Sequence, residues 1–427
     1  MEKEIRIDGK TKTFKPESLM MSYGYNPEWS EGAVKCPIYQ TSTFVFKTAE
    51  EGKEFFEIAY GLRHVGTHGP GLIYSRINNP DMEILEDRLS LWDEAESCAV
   101  FESGMAAICT TVLEFLKPGD VILSSKPIYG GTDHLFASVL PKFGIKTIEF
   151  NADHTREEII QIVEQNGAAK NLTMIFLETP ANPTNNLFDL EMIAEVAKHF
   201  STKERKVITA VDNTFLGPVF QHPIKFGINI VIYSATKYIG GHSDVVAGAC
   251  LGSKEYIDRV KSLRSMFGNM TGPWTGWLLM RSIETLKLRM QRSSDNARII
   301  AVWLSKHPAV EKVLYLGLFE KGTRQYDIYK KQCLAPGSMI SFLIKGNEAT
   351  AFKFLNSLKM IKLAVSLGGT ESLVEHPASM THSAMEPAKK EEFGIAENLV
   401  RLSVGIEDTD DIIWDLEQAL RTVNCKL

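Results

Sequence analysis

The chain has 427 residues, of which 44% are hydrophobic and 23% are charged, and its formal net charge is −6. This is an ordinary globular composition, and the length predicts two domains, or one large and one small. The sequence has no long basic run, so nucleic-acid binding has no electrostatic support. It also has no apolar run long enough to span a bilayer, so a membrane partner is not expected.

The cysteines and the N-terminus indicate a cytoplasmic protein. The six cysteines are scattered and form no Cys-x-x-Cys pair: Cys36, Cys98, Cys109, Cys250, Cys333 and Cys425. Most of them lie in apolar segments, which predicts reduced core thiols. Residues 1–8 mix both charges and contain no apolar core, so we predict no signal peptide.

Residues 1–80 are predicted to form an N-terminal arm, because glycine and proline interrupt the segment repeatedly. One short helix is expected over Ala49–Ala59. Since such an arm cannot bury its own apolar side chains, we expect it to pack on a neighbouring subunit. His64 and His68 lie in its glycine-rich loop without a third ligand, so no metal site is predicted.

Residues 81–285 alternate between helical and strand patterns and are predicted to form a large cofactor-binding domain. The predicted strands are 97–101, 121–124, 146–150, 172–177, 207–212 and 228–233, and the predicted helices are 82–91, 104–116, 132–143, 156–165 and 190–200. This alternation predicts an α/β fold with a mostly parallel sheet covered by helices on both faces.

Residues 286–427 have a different pattern and are predicted to form a smaller C-terminal α+β domain. Around the boundary, long helices are expected over 277–290 and 296–307. Beyond them, the predicted strands are 310–316, 339–344 and 398–404, and the predicted helices are 348–358 and 409–423.

The best chemical signal is a lysine that follows the strand at 228–233. Lys237 lies in a glycine-rich turn, and burial against apolar neighbours would favour its neutral, nucleophilic amine. The alternative is an ordinary surface lysine at the end of a strand. Asp212 ends the preceding strand, at the edge where open α/β sheets bind ligands. A lysine that captures an aldehyde and a carboxylate that pairs with a pyridinium nitrogen are the two groups that a pyridoxal 5′-phosphate (PLP) site requires.

A possible phosphate site lies at the turn between the first large-domain strand and its helix. Gly104 and Met105 would present backbone N–H groups at the helix N-terminus, and glycine allows close approach. Ser234 and Thr236, which flank the lysine, would add hydroxyl groups. Taken alone, such a turn is more often only an ordinary helix cap.

The segment around the lysine carries a family resemblance. Residues 234–244 read Ser-Ala-Thr-Lys-Tyr-Ile-Gly-Gly-His-Ser-Asp, which resembles the cofactor-lysine signature of the Cys/Met-metabolism PLP-dependent enzymes, the cystathionine γ-synthase and methionine γ-lyase group. The likeness extends from Gly32 to the C-terminus and is closest to methionine γ-lyase-like members. It implies PLP fold type I, with Lys237 bound to the aldehyde of PLP and Asp212 at its ring nitrogen. It also implies phosphate contacts from Gly104, Met105, Ser234 and Thr236.

The resemblance also assigns roles to two tyrosines and an arginine. Tyr129 would stack on the PLP ring and transfer a proton to the leaving group, and a phenol suits both tasks; its alternative role is a half-buried aromatic in a turn. Residues 72–80, Leu-Ile-Tyr-Ser-Arg-Ile-Asn-Asn-Pro, resemble a family motif. By this motif, Tyr74 and Arg76 would bind the PLP phosphate of a neighbouring subunit, Arg76 through its two parallel donors. The resemblance therefore implies shared active sites in a homotetramer built from dimers.

Two positions depart from the family pattern. Asp81 follows Pro80 where the family usually has threonine. Gly131 stands where relatives specialised for methionine cleavage usually carry cysteine. The sequence alone does not predict the consequence of either change.

The substrate side involves three residues. Asn182 is a candidate for the 3′-oxygen of PLP and the substrate carboxylate, or else a turn residue. Arg401 lies in an apolar strand, where a buried cation needs an anion, either a substrate carboxylate or a structural Asp or Glu. The family resemblance favours the substrate and adds Ser366. Val365 is apolar where cystathionine-handling relatives tend to have glutamate.

The predicted activity is α,γ-elimination of a γ-substituted L-amino acid, such as methionine or homocysteine, that yields a 2-oxo acid, ammonia and the leaving group. The nearest alternative is γ-replacement on an O-acyl-L-homoserine, which uses the same residues and ends with a nucleophile. A non-catalytic descendant that binds PLP is disfavoured, because Lys237, Asp212, Tyr129 and Arg401 are all present.

Overall fold

The computed structural model describes residues 3–8, 10–63 and 71–423. His64, His68 and Cys425 lie outside the described residues. The described residues contain no cluster of three or more His, Cys, Asp or Glu side chains that could hold a metal ion. In the same ranges, none of the helices combines the length and apolarity needed to cross a membrane.

The strands belong to three sheets: an N-terminal hairpin, a large sheet and a small sheet. The hairpin contains β1 (Glu4–Ile7) and β2 (Lys10–Thr13). The large sheet contains β3 (Ser97–Phe101), β4 (Val121–Lys126), β5 (Lys146–Asn151), β6 (Leu172–Glu178), β7 (Ile208–Asp212), β8 (Ile230–Tyr233) and β9 (Gly248–Gly252). The small sheet contains β10 (Val310–Leu314), β11 (Met339–Ile344), β12 (Lys362–Leu363), β13 (Leu373–Glu375) and β14 (Leu399–Ser403).

The helices follow the same order along the chain. The first part of the described chain contains α1 (Pro16–Leu19), α2 (Ala49–Ala59), α3 (Pro80–Asp93), α4 (Gly104–Phe115), α5 (Gly130–His134), α6 (Arg156–Gln165), α7 (Leu190–Phe200) and α8 (Gly217–Phe220). The second part contains α9 (Lys254–Phe267), α10 (Pro273–Ile283), α11 (Leu286–Leu304), α12 (Arg324–Gln332), α13 (Glu348–Ser357), α14 (Pro387–Glu392) and α15 (Thr409–Val423).

The large sheet confirms the predicted α/β fold, with one strand that the sequence did not reveal. Its order is β3-β9-β8-β7-β6-β4-β5. The pairs that join β8, β7, β6, β4 and β5 are parallel, whereas β9 runs antiparallel to both β3 and β8. The sequence of β9, Gly-Ala-Cys-Leu-Gly, is short and lacks β-branched residues, so no strand pattern marks it.

Helices cover both faces of the large sheet because side chains alternate along each strand. In β3, Cys98 and Val100 pack into the cluster that includes α3 and α10, whereas Ala99 and Phe101 pack into the cluster that includes α4 and α9. Near-continuous apolar strands of this kind are expected when both faces are buried.

The prediction of one continuous helix is wrong for one segment. The segment 132–143 was expected to be a single helix, but it consists of α5, a π-helical segment over Leu135–Val139 and a 3-10 turn over Leu140–Phe143. Pro141 explains the ending, because proline has no N–H to continue the α-helical hydrogen bonds. Helices α9 and α12 also escaped prediction, since charged residues dominate their sequences.

The small sheet has the order β10-β11-β14-β13-β12, and α11, α13 and α15 pack against it. In its register, Arg401 of β14 lies opposite Ser341 of β11 on one side and Glu375 of β13 on the other. The sheet therefore places an arginine and a glutamate side by side in its interior. The domain limits at residues 80 and 285 stay predictions.

The first turn of α3 fastens the arm to the large domain. The buried Asp81 accepts a hydrogen bond from the backbone N–H of Tyr39 at 2.7 Å, and Asn79 caps the helix through the N–H of Asp81. Burial raises the pKa of Asp81 to about 6. The departure at Asp81 thus has a structural reason, since a carboxylate at this position holds the arm by its backbone.

Further along α3, a buried ion pair joins three elements. Glu86 accepts hydrogen bonds from the guanidinium of Arg264 in α9 and from the backbone N–H of Val100 in β3. Lys261 adds a second cation 2.7 Å from Glu86. Burial alone would raise the pKa of Glu86, but Lys261 and Arg264 outweigh it and hold that pKa below its usual value.

Candidate active site

A cavity of about 470 Å³ opens at the carboxyl ends of the large-sheet strands, and part of its wall comes from the small sheet. Most of the predicted site residues line it: Gly104, Met105, Tyr129, Asn182, Asp212, Ser234, Thr236, Lys237, Ser366 and Arg401. Residues that lie far apart in the sequence are brought together because β4, β6, β7 and β8 are neighbours that end at one edge.

Lys237 follows β8 and points its amine at the small-sheet side of the cavity. Its Nζ donates a hydrogen bond to Ser366 Oγ at 2.8 Å. Burial, and then the positive charge of Arg401, lower the pKa of Lys237 to about 8. The amine is therefore much closer to its neutral, nucleophilic form than an exposed lysine would be. The alternative of an ordinary surface lysine is wrong.

The turn after Lys237 depends on the missing side chain of Gly241. Gly241 has a φ of +69°, and a Cβ there would lie 1.9 Å from Nη1 of Arg289. That guanidinium donates a hydrogen bond to the carbonyl of Tyr238 at 2.7 Å. A buried arginine and a glycine thus fix the path of the chain immediately after the lysine.

Ser366 connects the lysine to the arginine. Its hydroxyl accepts from Lys237, and its carbonyl accepts a hydrogen bond from Arg401 Nη2 at 2.9 Å. The backbone of Ser366 has a φ of 110°, which is a strained conformation for a residue with a side chain. Such strain costs on the order of 1–3 kcal/mol and persists where the surroundings impose it. Here, both polar groups of Ser366 are held by reactive-site residues.

Two buried carboxyl groups lie side by side at the ends of β6 and β7. Glu178 is opposite Asp212 in the register of the parallel strands. Glu178 accepts the backbone N–H groups of Tyr129 and Asn182, each at 2.8 Å. Burial, and then the charge of Asp212, raise the pKa of Glu178 to about 8, while burial raises the pKa of Asp212. Glu178 thus positions two candidate site residues by their backbones.

Asp212 has no salt-bridge partner among the described residues, although the nearby charge of Lys237 partly offsets the effect of burial on its pKa. It accepts a hydrogen bond from the backbone N–H of Thr214 at 3.0 Å. Because a buried carboxylate is costly without a positive partner, this position suits a cationic ring nitrogen of a bound ligand.

The N-terminus of α4 forms a tight cradle with the segment after β8. A Cβ on Gly104 would lie 2.9 Å from Cβ of Ser234, so only glycine allows this approach. The first N–H groups of a helix have no partner within the helix and attract phosphate. Thr236 contributes less directly, because its hydroxyl already donates to the carbonyl of Ala247 at 3.1 Å.

Arg401 is buried, and both of its terminal nitrogens have acceptors. Its Nη1 lies 2.8 Å from Oε1 of Glu375 and 2.9 Å from Oδ1 of Asn182. Nε of Arg401 and Oε2 of Glu375 are buried and have no hydrogen-bond partner among the described residues. Glu375 is thus the structural carboxylate partner of Arg401. Arg401 also lines the cavity, and its contact with a substrate carboxylate stays a prediction.

Tyr129 stands at the mouth of the cavity, and 41% of its surface is exposed. Its ring lies over Gly131, where a Cβ would be 2.6 Å from Tyr129 Cε1 and 3.3 Å from Met105 Sδ. The glycine that replaces the family's usual cysteine therefore leaves room for the tyrosine ring.

Tyr74 and Arg76 do not reach the cavity of their own chain. Arg76 donates to the backbone carbonyl of Ser265, and its guanidinium carbon lies 5.9 Å from the centre of the Tyr74 ring. Neither residue lines the cavity. Their predicted contact with a neighbouring subunit stays a prediction.

The cavity fits PLP in its volume and its groups, since ligand sites usually measure about 300–1,000 Å³. The cradle at Gly104 and Ser234 suits the phosphate, Asp212 suits the ring nitrogen, and Lys237 suits the aldehyde. A lysine after one parallel strand and an unpaired aspartate at the end of the next define the PLP-dependent enzymes of fold type I.

Comparison with known proteins agrees with this class. The family model described as Cys/Met metabolism PLP-dependent enzyme matches residues 17–421. The chain is 41% identical to L-methionine gamma-lyase of Fusobacterium nucleatum subsp. nucleatum over 394 residues, which cover 92% of this chain and 94% of that protein. It is 38% identical to cystathionine gamma-lyase of Bacillus subtilis, with 96% and 100% covered.

A solved structure shows the same fold. The cystathionine gamma synthase of Xanthomonas oryzae pv. oryzae, in complex with aminoacrylate and cysteine, is 31% identical and superimposes with a TM-score of 0.86 over 97% of this chain and all of that one. The chain therefore belongs to the Cys/Met metabolism PLP-dependent enzyme family.

Sequence reasoning missed several residues that line or support the cavity. Glu178 and Glu375 are buried acids whose signal was a charge at the end of an apolar strand, the same signal that identified Asp212. Thr214 and Val246 also line the cavity. No pattern marks them, because they lie in irregular segments that only the fold brings to the site.

Replacing Gly131 with alanine is expected to lower turnover. The added methyl group would push the Tyr129 ring aside, and a displacement of this size costs roughly tenfold to a hundredfold in rate. The measurement is kcat for release of 2-oxo acid, together with the PLP content of the purified variant. Gly272→Ala is the matched control, since a Cβ there meets nothing within 4 Å. Unchanged turnover in Gly131→Ala would contradict this role of Gly131.

Proposed function

We propose that this enzyme catalyses α,γ-elimination of an L-amino acid with an uncharged sulfur leaving group at Cγ, such as methionine or homocysteine. The products are a 2-oxo acid, ammonia and a thiol or sulfide. The observation that carries this proposal is that Lys237 and Arg401 face one cavity and are connected through Ser366. The relative that is named L-methionine gamma-lyase supports the substrate class.

The walls of the cavity fit an amino acid with an apolar side chain. Arg401 and Asn182 provide hydrogen-bond donors for the α-carboxylate. Val246 and Val365 are exposed at the cavity and carry no charge. The far amino group of a substrate such as cystathionine would find no carboxylate at Val365, whereas the methyl group of methionine packs well against it.

Four side chains account for the chemical steps. When bound, PLP withdraws electrons from the substrate's Cα and so acidifies its Cα–H and Cβ–H bonds. The amine of Lys237 would remove the Cα proton, give that proton up and then, neutral again, remove a Cβ proton, while Asp212 would hold a proton at the ring nitrogen. The phenol of Tyr129 donates a proton to the sulfur at Cγ as the Cγ–S bond breaks. Arg401 holds the carboxylate, and water completes release of the 2-oxo acid and ammonia.

The family's shared active site extends the proposal to oligomeric state. Tyr74 and Arg76 lie outside the cavity of their own chain, which fits a role at the PLP phosphate of a neighbouring subunit. We therefore propose a homotetramer built from dimers with shared sites. The cytoplasmic location stays a prediction.

The reaction type is tested by measuring 2-oxobutyrate. We expect release from methionine without any added thiol, because water is the only further reactant that elimination needs. The same assay is run with O-acetyl-L-homoserine, with and without a thiol. Turnover that requires both an O-acyl-homoserine and the thiol would contradict elimination and support γ-replacement.

Capture of PLP by the apoenzyme is expected to depend on the neutral amine of Lys237. Because burial and Arg401 lower its pKa to about 8, the rate of capture should rise with pH and level off above about 8 rather than continue to rise. The measurement is the absorbance of protein-bound PLP against time. Lys237→Ala should lack the aldimine absorption band, because no amine captures the aldehyde even if the phosphate cradle still holds PLP, whereas the exposed control Lys142→Ala should behave as wild type. An aldimine band in Lys237→Ala would contradict the assignment.

Replacing Val365 with glutamate is expected to shift substrate preference from methionine toward cystathionine. The new carboxylate would pair with the far ammonium group at an exposed rim, which is worth up to about 1 kcal/mol, or roughly fivefold in the ratio of kcat/KM values. Val365→Gln is the control of equal size without charge. An equal ratio in the glutamate and glutamine variants would show that Val365 does not determine specificity.

A further inference from the structure

The buried carboxylate of Glu375 contacts Arg401, the arginine that is proposed to bind the substrate. Glu375 is 0% exposed, and its Oε1 lies 2.8 Å from Arg401 Nη1. The hydroxyl of Thr381, which lines the cavity, donates to the same oxygen at 3.0 Å. The other oxygen of Glu375 has no partner among the described residues.

The contact between Glu375 and Arg401 results from the pairing of two strands and does not depend on a flexible side chain. Glu375 and Arg401 are opposite each other in the antiparallel register of β13 and β14. The side chains of such a pair lie close together across the strands. The carboxylate is therefore in place before any substrate arrives, and it neutralises the guanidinium in the interior.

We propose that Glu375 is a positioning residue and the permanent counter-ion of Arg401. The carboxylate of the amino acid must compete with Glu375 for the guanidinium. The proposal rests on the proposed function, in which Arg401 binds that carboxylate. In the free enzyme the pair is neutral. When a carboxylate ligand binds, one guanidinium serves two carboxylates, and their mutual repulsion weakens binding.

This arrangement has a use in turnover. The amino acid and its 2-oxo acid product both carry a carboxylate, so an unopposed buried arginine would hold both tightly. Tight binding of substrate and product does not accelerate the chemical step. Glu375 keeps the guanidinium oriented toward the cavity while it limits the strength of the carboxylate contact, which allows the product to leave.

The variant Glu375→Gln separates charge from geometry. The glutamine oxygen can accept from Arg401 and Thr381 as Oε1 does, and its amide nitrogen takes the place of the unpartnered Oε2. The probes are L-norvaline, which has an apolar side chain without a γ leaving group, and L-norvalinamide, which lacks the carboxylate. Binding to the PLP-loaded enzyme is followed by the change in PLP absorbance.

We expect norvaline to bind roughly tenfold more tightly to Glu375→Gln than to wild type, as expected from removal of one like charge a few ångströms away. The affinity for norvalinamide should not change. Inhibition by 2-oxobutyrate should become stronger by a similar factor. The melting temperature without ligand should fall, and norvaline should raise it more than in wild type, because the ligand now supplies the missing counter-ion.

Glu86→Gln is the matched control, since Glu86 forms the other buried pair with an arginine, Arg264, and does not line the cavity. It should lower the melting temperature without changing the affinity for either probe. Norvaline affinity that is unchanged or weaker in Glu375→Gln would overturn the counter-ion proposal. If neither probe alters the wild-type spectrum, the proposed function itself fails, so the two failures are distinguishable.

Discussion

The cost of burying charge governs this active site. Lys237, Arg401, Asp212, Glu178 and Glu375 all lie in or against one cavity, and all except the half-buried Lys237 are buried. Each charge must therefore find a partner or be neutralised, an amine by losing a proton and a carboxylate by gaining one. Arg401 has Glu375, whereas Lys237 approaches its neutral form and Glu178 holds its proton more tightly. Asp212 forms no salt bridge among the described residues, so it suits the proposed pairing with a cationic ring nitrogen.

The sheet topology makes this concentration of charge possible. Parallel strands end at the same edge, so β6 and β7 bring Glu178 and Asp212 side by side, and β8 delivers Lys237 next to them. The small sheet adds Arg401 and Glu375 from two paired strands. Strand ends and paired strands therefore supply the four acidic and arginine groups, and the hydrogen bonds of Ser366 link Lys237 to Arg401 across the cavity.

Much of the fold and about half of the residues that line the cavity could be predicted from the sequence, because their signals are local. Lys237 and Asp212 interrupt apolar strands at their ends, and a polar group there has few structural uses. The short strand β9 and the helix α9 lack a clear pattern, and only pairing with distant strands defines them. Glu375 could not be paired with Arg401, since the register of two strands far apart in sequence is a property of the folded sheet. For Tyr74 and Arg76, the predicted contacts lie outside a single chain, so a single chain does not test them.

The two hydrogen bonds of Ser366, to Lys237 and to Arg401, affect which amines the enzyme can discriminate. One residue holds the lysine by its hydroxyl and the arginine by its carbonyl, in a backbone conformation that is under strain. In the proposed reaction, an incoming acid group that draws the guanidinium toward itself would therefore also disturb the hydrogen bond to the lysine. Polyamines and other metabolites without an acid group could not exert this pull.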